Sequence, residues 1–225
     1  MEINKLRKEL NPRQKALREA LTHPEFHDQA IPLFLTLHGI LHSAKIAPEA
    51  PWSYEDLLLG GITEDQFRLI PEGEEHSLIW IHWHLSRIED VTMNLLVAER
   101  DQVFSTGDWQ ARIHSPITHT GNGTGLEVAR DLSAAVNVAA LREYRNAVGR
   151  ATREIVRNLP PAEFSRTMNP DQLQKIIDQG AVAQEGLGAV EYWGSRTVAG
   201  LLLMPPTRHT TIHWNEAARI INKTS

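Results

Sequence analysis

The feature that most constrains the fold is the recurrence of apolar residues at helical spacing over several long segments. Four segments show this pattern: Pro24 to about Ala44, His76–Arg100, Asp131–Leu159 and Glu191–Ile221. A period near 3.6 residues places apolar side chains on one face of a helix, and no comparable run alternates as a half-buried strand would. The sequence therefore predicts an all-α protein, a four-helix bundle with short extra helices that forms a single domain over residues 1–225.

Proline and loop residues predict where these helices end. Pro160 and Pro161 should stop the third helix, and the pair Pro205-Pro206 should kink or restart the fourth, because proline lacks the N–H that a helix interior needs. The segment Ser105–Gly125, between the second and third helices, reads as one long loop. Loops of that length in a compact domain usually carry function, so this segment is expected to edge a site.

Composition excludes several classes of protein. The chain of 225 residues has 23 Lys and Arg against 28 Asp and Glu, a net charge of -5, so it lacks the basic surface that a nucleic-acid partner requires. No apolar run is long enough to cross a membrane and the first residues do not resemble a signal peptide, which predicts a cytoplasmic protein. There is no cysteine, so a metal ion would have to be held by His, Asp or Glu.

Histidine is abundant, with 11 in the chain, and two of them stand at a spacing suited to a metal ion. His209 and His213 are four residues apart near the start of a predicted helix, so both imidazoles face the same side. A second pair with the same spacing, His38 and His42, lies on an apolar helix and is the main rival. Either pair needs a third ligand to hold a divalent ion tightly.

The preferred third ligand is His84. It shares one face of the second helix with apolar residues, and an imidazole on a buried face needs a hydrogen-bond partner or a metal ion. His82 is two residues away and points to the opposite side, so the two are not expected to face the core together.

At these residues the chain resembles the DinB-like superfamily. The stretch from Trp80 through His84 to the acidic pair Glu89-Asp90, followed far downstream by the His209/His213 pair, matches the order of that family's motifs. The resemblance implies a four-helix bundle with a three-histidine metal site, whose ligands are, residue by residue, His84, His209 and His213. The Pro205-Pro206 pair and the extra histidines His38 and His42 depart from the family pattern.

The resemblance also implies a chemistry. Family members use small-thiol cofactors in transfer or isomerisation, or hydrolyse substrates with a metal ion. We therefore expect a divalent metal, zinc first with nickel or iron as alternatives, that activates a low-molecular-weight thiol or water for a small-molecule substrate. The alternative is a metal-binding stress-response or ligand-binding protein without turnover. The zinc-protease motif is absent, because Thr210 follows His209. A homodimer is expected from the family.

Neighbouring residues receive secondary roles at this stage. His38, His42 and Glu216 are candidates for packing beside the metal site or for orienting a ligand imidazole. Arg87 and Asp90, three residues apart, are expected to form a surface ion pair. The remaining histidines are expected to face solvent, namely His23, His27, His76, His114 and His119.

Overall fold

The computed structural model describes residues 3–224, with side chains described from Lys5 onward, and these residues form an all-α structure, as the sequence predicts. Its α-helices are α1 (Ile3–Arg7), α2 (Leu10–Thr22), α3 (His27–Leu41), α4 (Tyr54–Leu59), α5 (Glu64–Arg68), α6 (Leu78–Asp90), α7 (Val103–Thr106), α8 (Trp109–Ile113), α9 (Leu126–Ala135), α10 (Val138–Arg157), α11 (Pro170–Asp178), α12 (Gly188–Gly194), α13 (Val198–Leu203) and α14 (Thr210–Thr224). Within residues 3–224 the one extended pairing is an isolated bridge between Thr167 and Thr197.

Helix α6 lies at the centre of the fold. It begins after Ser77, whose side chain accepts the Trp80 N–H, and it continues into a π-helical segment, Val91–Val97. Helices α5, α9, α10 and α14 all pack against α6. As a result every residue from Leu78 to Val97 is buried.

The central position of α6 corrects one expectation from the sequence. His82 and His84 point to different sides of the helix, as their spacing requires, yet both are buried, at 0% and 3% exposure. The prediction that they could not both face the core was wrong because α6 has protein on every side. A helical period identifies the apolar face of a helix, but it does not show how many neighbours cover the other faces.

The third predicted helix is divided in two. The sequence pattern indicated one helix over Asp131–Leu159, but α9 ends at Ala135 and α10 begins at Val138. Asn137 causes the break: its side chain accepts the Ala140 N–H and caps α10. The predicted stop before Pro160 is confirmed, since α10 ends at Arg157.

The Pro205-Pro206 pair produces the predicted irregularity in the last helix. Between α13 and α14 the chain forms a π-helical segment, Met204–His209, which contains both prolines. Proline cannot donate to the preceding turn, and a wider π turn accommodates the missing hydrogen bonds. The Leu202 carbonyl would ordinarily accept from residue 206, which is a proline, and the Thr207 hydroxyl donates to it instead at 2.9 Å. His209 is the last residue of this π-helical segment and directly precedes α14.

The Ser105–Gly125 segment is less irregular than the sequence suggests. Part of it lies in α7 and α8, whose side chains Phe104, Trp109 and Ile113 are buried. The backbone N–H groups that open α7 are accepted by the Asp90 carboxylate, at 2.9 Å from Val103 and 2.8 Å from Phe104. The stretch from residue 114 to residue 125 remains without helix.

Arg87 and Asp90 form a buried anchor for this segment, not the surface pair that their spacing suggested. Arg87 is 1% exposed and Asp90 0%. The Tyr144 hydroxyl donates to Asp90 at 2.6 Å and accepts from the Arg87 guanidinium at 3.0 Å. The Arg87 Nε donates to the Thr118 carbonyl at 3.0 Å. These bonds connect α6 and α10 to the segment that follows α8.

Among residues 3–224, no helix combines the length and the apolar character that crossing a bilayer would require.

The first prediction concerns this anchor. Replacing Asp90 by Ala leaves the Arg87 charge buried without its carboxylate, so we expect the free energy of unfolding to fall by about 3–5 kcal/mol. The matched control is Asp101→Ala, which removes an exposed ion pair with Lys175 and should cost at most about 1 kcal/mol. Urea unfolding monitored by circular dichroism measures both variants. Equal losses in the two variants would contradict a structural role for Asp90.

Candidate metal centre

Three histidines from α6 and the last helix lie together. The ring centroids of His84 and His209 are 5.1 Å apart, those of His84 and His213 are 4.8 Å apart, and those of His209 and His213 are 4.6 Å apart. Each ring offers a nitrogen atom, and the three atoms lie within 4.8 Å of one another. The structure therefore brings together the three residues that the sequence selected, at distances that one ion can bridge.

The facing nitrogens have the separation that a tetrahedral ion requires. His84 Nε2 and His209 Nε2 are 3.3 Å apart. Two ligand atoms at about 2.0–2.1 Å from one zinc ion, at the tetrahedral angle, are separated by about 3.3 Å. Within residues 3–224, His209 Nδ1 is buried and has no hydrogen-bond partner, whereas its Nε2 faces Nε2 of His84. The residues present fit a divalent metal ion.

A backbone carbonyl sets the protonation of His84. Its Nδ1 lies 2.7 Å from the Thr120 carbonyl oxygen, which can only accept, so Nδ1 carries the proton. The neutral ring then has its lone pair on Nε2, directed at the other two histidines. Two neighbouring carbonyls are held in the same way: Trp83 Nε1 donates to His119 and Arg87 Nε donates to Thr118. Side chains of α6 thus fix three successive residues of the segment.

Glu216 sets the orientation of His213. One carboxylate oxygen lies 2.7 Å from His213 Nδ1, and the other lies 2.7 Å from His76 Nδ1. A carboxylate that accepts the Nδ1 proton leaves Nε2 free to bind a metal and raises its basicity. The role considered for Glu216 from the sequence matches this contact. His76 was expected to face solvent, but it bonds Glu216 and stacks on Trp80 at 3.5 Å.

Trp80 connects these residues into one stack. The Trp80 ring lies 4.4 Å from the His84 ring with an interplanar angle of 16°. Its other stacked neighbour is the His76 ring. The sequence placed Trp80 next to the site through the W-x-x-x-H spacing but gave no sign of His76. The signal that could have indicated His76 is its position four residues before Trp80, one helical turn away along the same side.

Burial keeps His84 and His209 neutral. Desolvation lowers the pKa of His84 well below 6.5, and the nearby rings of His209 and His213 lower it further. Desolvation lowers the pKa of His209 to about 3. Burial of Glu216 by itself would raise its pKa, but the hydrogen bonds from His213 and His76 outweigh burial and hold the pKa well below its usual range. Two uncharged imidazoles beside an ionised carboxylate are prepared to receive a cation.

An apolar cavity adjoins His209, one of the three histidines. It has a volume of about 250 Å³ and is lined by His209 together with Ile88, Asn122, Tyr192, Trp193, Met204 and Pro205. No carboxylate, lysine or arginine is part of this lining. Asn122 belongs to the Ser105–Gly125 segment, and its amide oxygen accepts from the Thr120 hydroxyl. The cavity therefore offers an uncharged wall with one amide group beside the candidate metal position.

The other histidine pair forms a separate cluster. His38 Nε2 lies 2.8 Å from one oxygen of Glu89, and His42 Nε2 lies 2.9 Å from the other. All three side chains are 0% exposed. The structure thus assigns His38 and His42 a carboxylate partner of their own, and their contacts are with Glu89 and not with His84.

The fold and this site define the class to which the protein belongs. A protein-family model described as the DinB superfamily matches residues 51–216, which include α6, α10, the first part of α14 and all three site histidines. The chain belongs to the DinB superfamily. A search of curated proteins returned no match to this chain.

The second prediction concerns acid stability of the metal-free protein. Burial lowers the pKa of the five most deeply buried histidines, His38, His42, His82, His84 and His209, below the value of 6.5 expected in the unfolded chain. Above pH 6.5 neither state binds these protons. Below it the unfolded state takes them up and the folded state does not, so stability falls as the pH decreases. Each histidine that stays neutral costs about 1.4 kcal/mol at pH 5.5, or at most about 7 kcal/mol for five.

Denaturant unfolding at pH 7.5, 6.5 and 5.5 measures this loss. His82→Leu removes one buried proton-binding group and should reduce the loss between pH 7.5 and 5.5 by about 1.4 kcal/mol. The matched control His114→Leu changes an exposed histidine and should leave the loss unchanged. A free energy of unfolding that is the same at pH 7.5 and 5.5 would show that these histidines are not held neutral.

The third prediction tests the contact between Glu216 and His213. Glu216→Gln keeps one acceptor but removes the charge and one of the two carboxylate bonds, so zinc affinity should fall about 10-fold to 100-fold. Glu127→Gln, an exposed position on α9, is the matched control and should retain the original affinity. Competition with a chromophoric chelator at pH 7.5 measures both. An unchanged affinity in Glu216→Gln would show that Glu216 does not support a ligand.

Proposed function

We propose that this protein binds a divalent metal ion, zinc in the first place, through His84, His209 and His213 and uses it to activate a small thiol for a transfer or isomerisation reaction. The observation that carries this proposal is the convergence of three imidazoles, with two nitrogens 3.3 Å apart, beside an apolar cavity. Membership of the DinB superfamily supports it. A three-histidine set leaves a coordination position for a ligand.

The residues of the chain prepare this position in three ways. The Thr120 carbonyl and the Glu216 carboxylate hold the Nδ1 protons of His84 and His213, so Nε2 of each ring is available. Trp80 stacks on His84 and limits its rotation. A bound divalent ion would supply Lewis acidity there, lowering the pKa of a thiol or a water molecule to near neutrality.

The cavity lining favours a thiol over water as the activated group. Hydrolysis generally uses a side chain that accepts a proton, and the lining contains no carboxylate and no histidine other than His209. A free thiol, with a pKa of about 8.5, is far more acidic than water, with a pKa of about 15.7, so a thiol would ionise beside a bound ion with less need of such a base. The lining also lacks a basic side chain, so it suits a neutral thiol or substrate with an apolar group. The Arg196 guanidinium lies 4.3 Å from the centre of the Tyr192 ring and is not part of the lining.

The second candidate function is ligand binding without turnover. The same absence of acid–base side chains from the cavity lining favours it over hydrolysis. It shares the metal ion and the cavity with the first candidate and differs in predicting that a bound thiol is returned unchanged. The expected homodimer and the identity of the metal remain predictions.

The fourth prediction tests metal binding and thiol activation together. Cobalt-substituted protein should develop a strong near-ultraviolet charge-transfer band when a neutral thiol such as 2-mercaptoethanol is added, because the thiolate binds the ion directly. Mercaptosuccinate, which carries two carboxylates, should require a higher concentration for the same band, since the cavity has no cationic side chain for them. His213→Ala should abolish the band. His119→Ala is the matched control and should preserve the band, because it keeps the backbone carbonyl that accepts from Trp83 Nε1 and removes a ring whose Nδ1 accepts from the Gly121 N–H.

The outcomes separate the candidate functions. Cobalt binding without a thiol band would exclude thiol activation and leave the binding function or hydrolysis. A band accompanied by a modified thiol or substrate, detected by mass spectrometry, would establish turnover. Failure of cobalt to bind to the original chain would contradict the site itself. The measurements should be made at pH 7.5 and at pH 5.5, because the lowered pKa values of His84 and His209 move proton competition to a lower pH than 6.5.

A further inference from the structure

The cluster of His38, His42 and Glu89 occupies the core between two helices. His38 lies in the last turn of α3, His42 directly follows that helix, and Glu89 lies near the end of α6. The two imidazole rings stack with centroids 4.1 Å apart, and each points its Nε2 at one oxygen of the same carboxylate. A carboxylate thus joins two histidines in a region that water does not reach.

Glu89 differs from the other buried carboxylates in its partners. Asp90 is paired with Arg87, and Glu55 is paired with Arg145 at 2.8 Å. Among residues 3–224, Glu89 is the one fully buried carboxylate whose ion-pair contacts are all with histidine. Burying an ionised carboxylate is costly unless a cation accompanies it. The charge of Glu89 therefore depends on what its two histidines carry.

Protonation of the histidines is a poor way to supply that charge. Both rings are 0% exposed, so an imidazolium here would be a second charge removed from water. The Nδ1 atoms of both rings are buried and have no hydrogen-bond partner in the described part of the chain. An imidazolium would add a charge as well as an N–H at this unpartnered Nδ1, whereas a metal ion bound at Nε2 leaves the ring neutral with only the N–H to accommodate. Two neutral rings around an ionised Glu89 leave one negative charge without a balancing cation.

The geometry fits a metal ion in place of that missing cation. The nitrogen-to-oxygen separations of 2.8 Å and 2.9 Å match ligand atoms about 90° apart at roughly 2.1 Å from one ion. Two imidazole nitrogens and the two carboxylate oxygens would provide four ligand atoms without a water molecule. Each ring keeps its single proton on Nδ1 when Nε2 binds the ion. Two histidines with one carboxylate are also a common donor set for divalent transition metals.

We propose that His38, His42 and Glu89 form a second metal site, which holds a structural divalent ion of the zinc type and ties α3 to α6. The proposal is independent of the three-histidine centre and of any thiol chemistry there. All three ligands are 0% exposed, so no substrate reaches this ion and its role is to stabilise the core. The same burial means that the ion enters during folding and exchanges slowly afterwards.

The experiment first removes the three-histidine centre. The double variant His209→Ala/His213→Ala is unfolded in guanidinium chloride with EDTA, refolded with excess zinc, freed of unbound zinc by gel filtration and analysed by plasma mass spectrometry. We expect one zinc per chain in this variant and two in the original chain. In the folded variant the zinc should resist EDTA for hours, and unfolding should release it, because the ligands are fully buried.

Two carboxylate variants made in the same double background locate the retained ion. Glu89→Gln removes one ligand oxygen and the negative charge, and it should reduce the retained zinc to background. Glu55→Gln is the matched control, because Glu55 is also a buried glutamate but pairs with Arg145. This variant should keep one zinc per chain. Circular dichroism establishes that each refolded variant is helical before its zinc content is compared.

Two results would overturn the proposal. A folded double variant that retains no zinc above background shows that the cluster is a hydrogen-bonded network only, and this result does not depend on whether Glu89→Gln folds. Retention of one zinc by folded Glu89→Gln shows that the ion lies elsewhere. If Glu89→Gln does not fold, cobalt in the double variant decides: a spectrum of nitrogen and oxygen ligands that persists in EDTA supports the site, and its absence rejects it.

Discussion

The structure depends on the complete burial of α6. A helix with protein on every side has to satisfy each of its polar side chains from its neighbours, because no water is available to do so. The polar residues of α6 are accordingly distributed among different partners. His84 turns to the last helix, Glu89 to α3, and the Arg87–Asp90 pair to α10 and the segment after α8. One helix therefore positions the candidate metal centre, the second cluster and the segment beside them.

The contacts of α6 also join the site to the irregular segment that borders it. Three successive carbonyls, from Thr118 to Thr120, accept side-chain hydrogen bonds from α6. Irregular backbone close to a core would otherwise leave these groups without partners. The last of the three also determines which nitrogen of His84 is free. The segment therefore helps to position His84 in the candidate metal centre. Its residue Asn122 also lines the adjoining cavity.

Burial of the histidines favours metal binding at the candidate site but lowers the stability of the fold in acid. Neutral imidazoles in a dry environment bind a cation well because protons compete poorly for them. The same low pKa values mean that the unfolded chain binds protons more readily than the folded protein below pH 6.5. A bound ion offsets this cost by favouring the folded state through mass action. Metal binding and fold stability are therefore linked through the same side chains.

The sequence by itself determined the helical class, the break at Pro205-Pro206 and the three residues His84, His209 and His213 as candidates. The first two follow from the apolar period and the missing proline N–H. His209 and His213 share a face because they are four residues apart, whereas their selection with His84 over His38 and His42 came from the resemblance to the DinB-like superfamily. Only the tertiary structure decided that His82 and His84 are both buried, that Arg87 and Asp90 lie in the core and that Glu89 joins His38 to His42. A periodic pattern describes the faces of one helix, whereas the partners on those faces come from helices distant in the chain. In a helix covered on every side, those distant partners decide what each polar residue does.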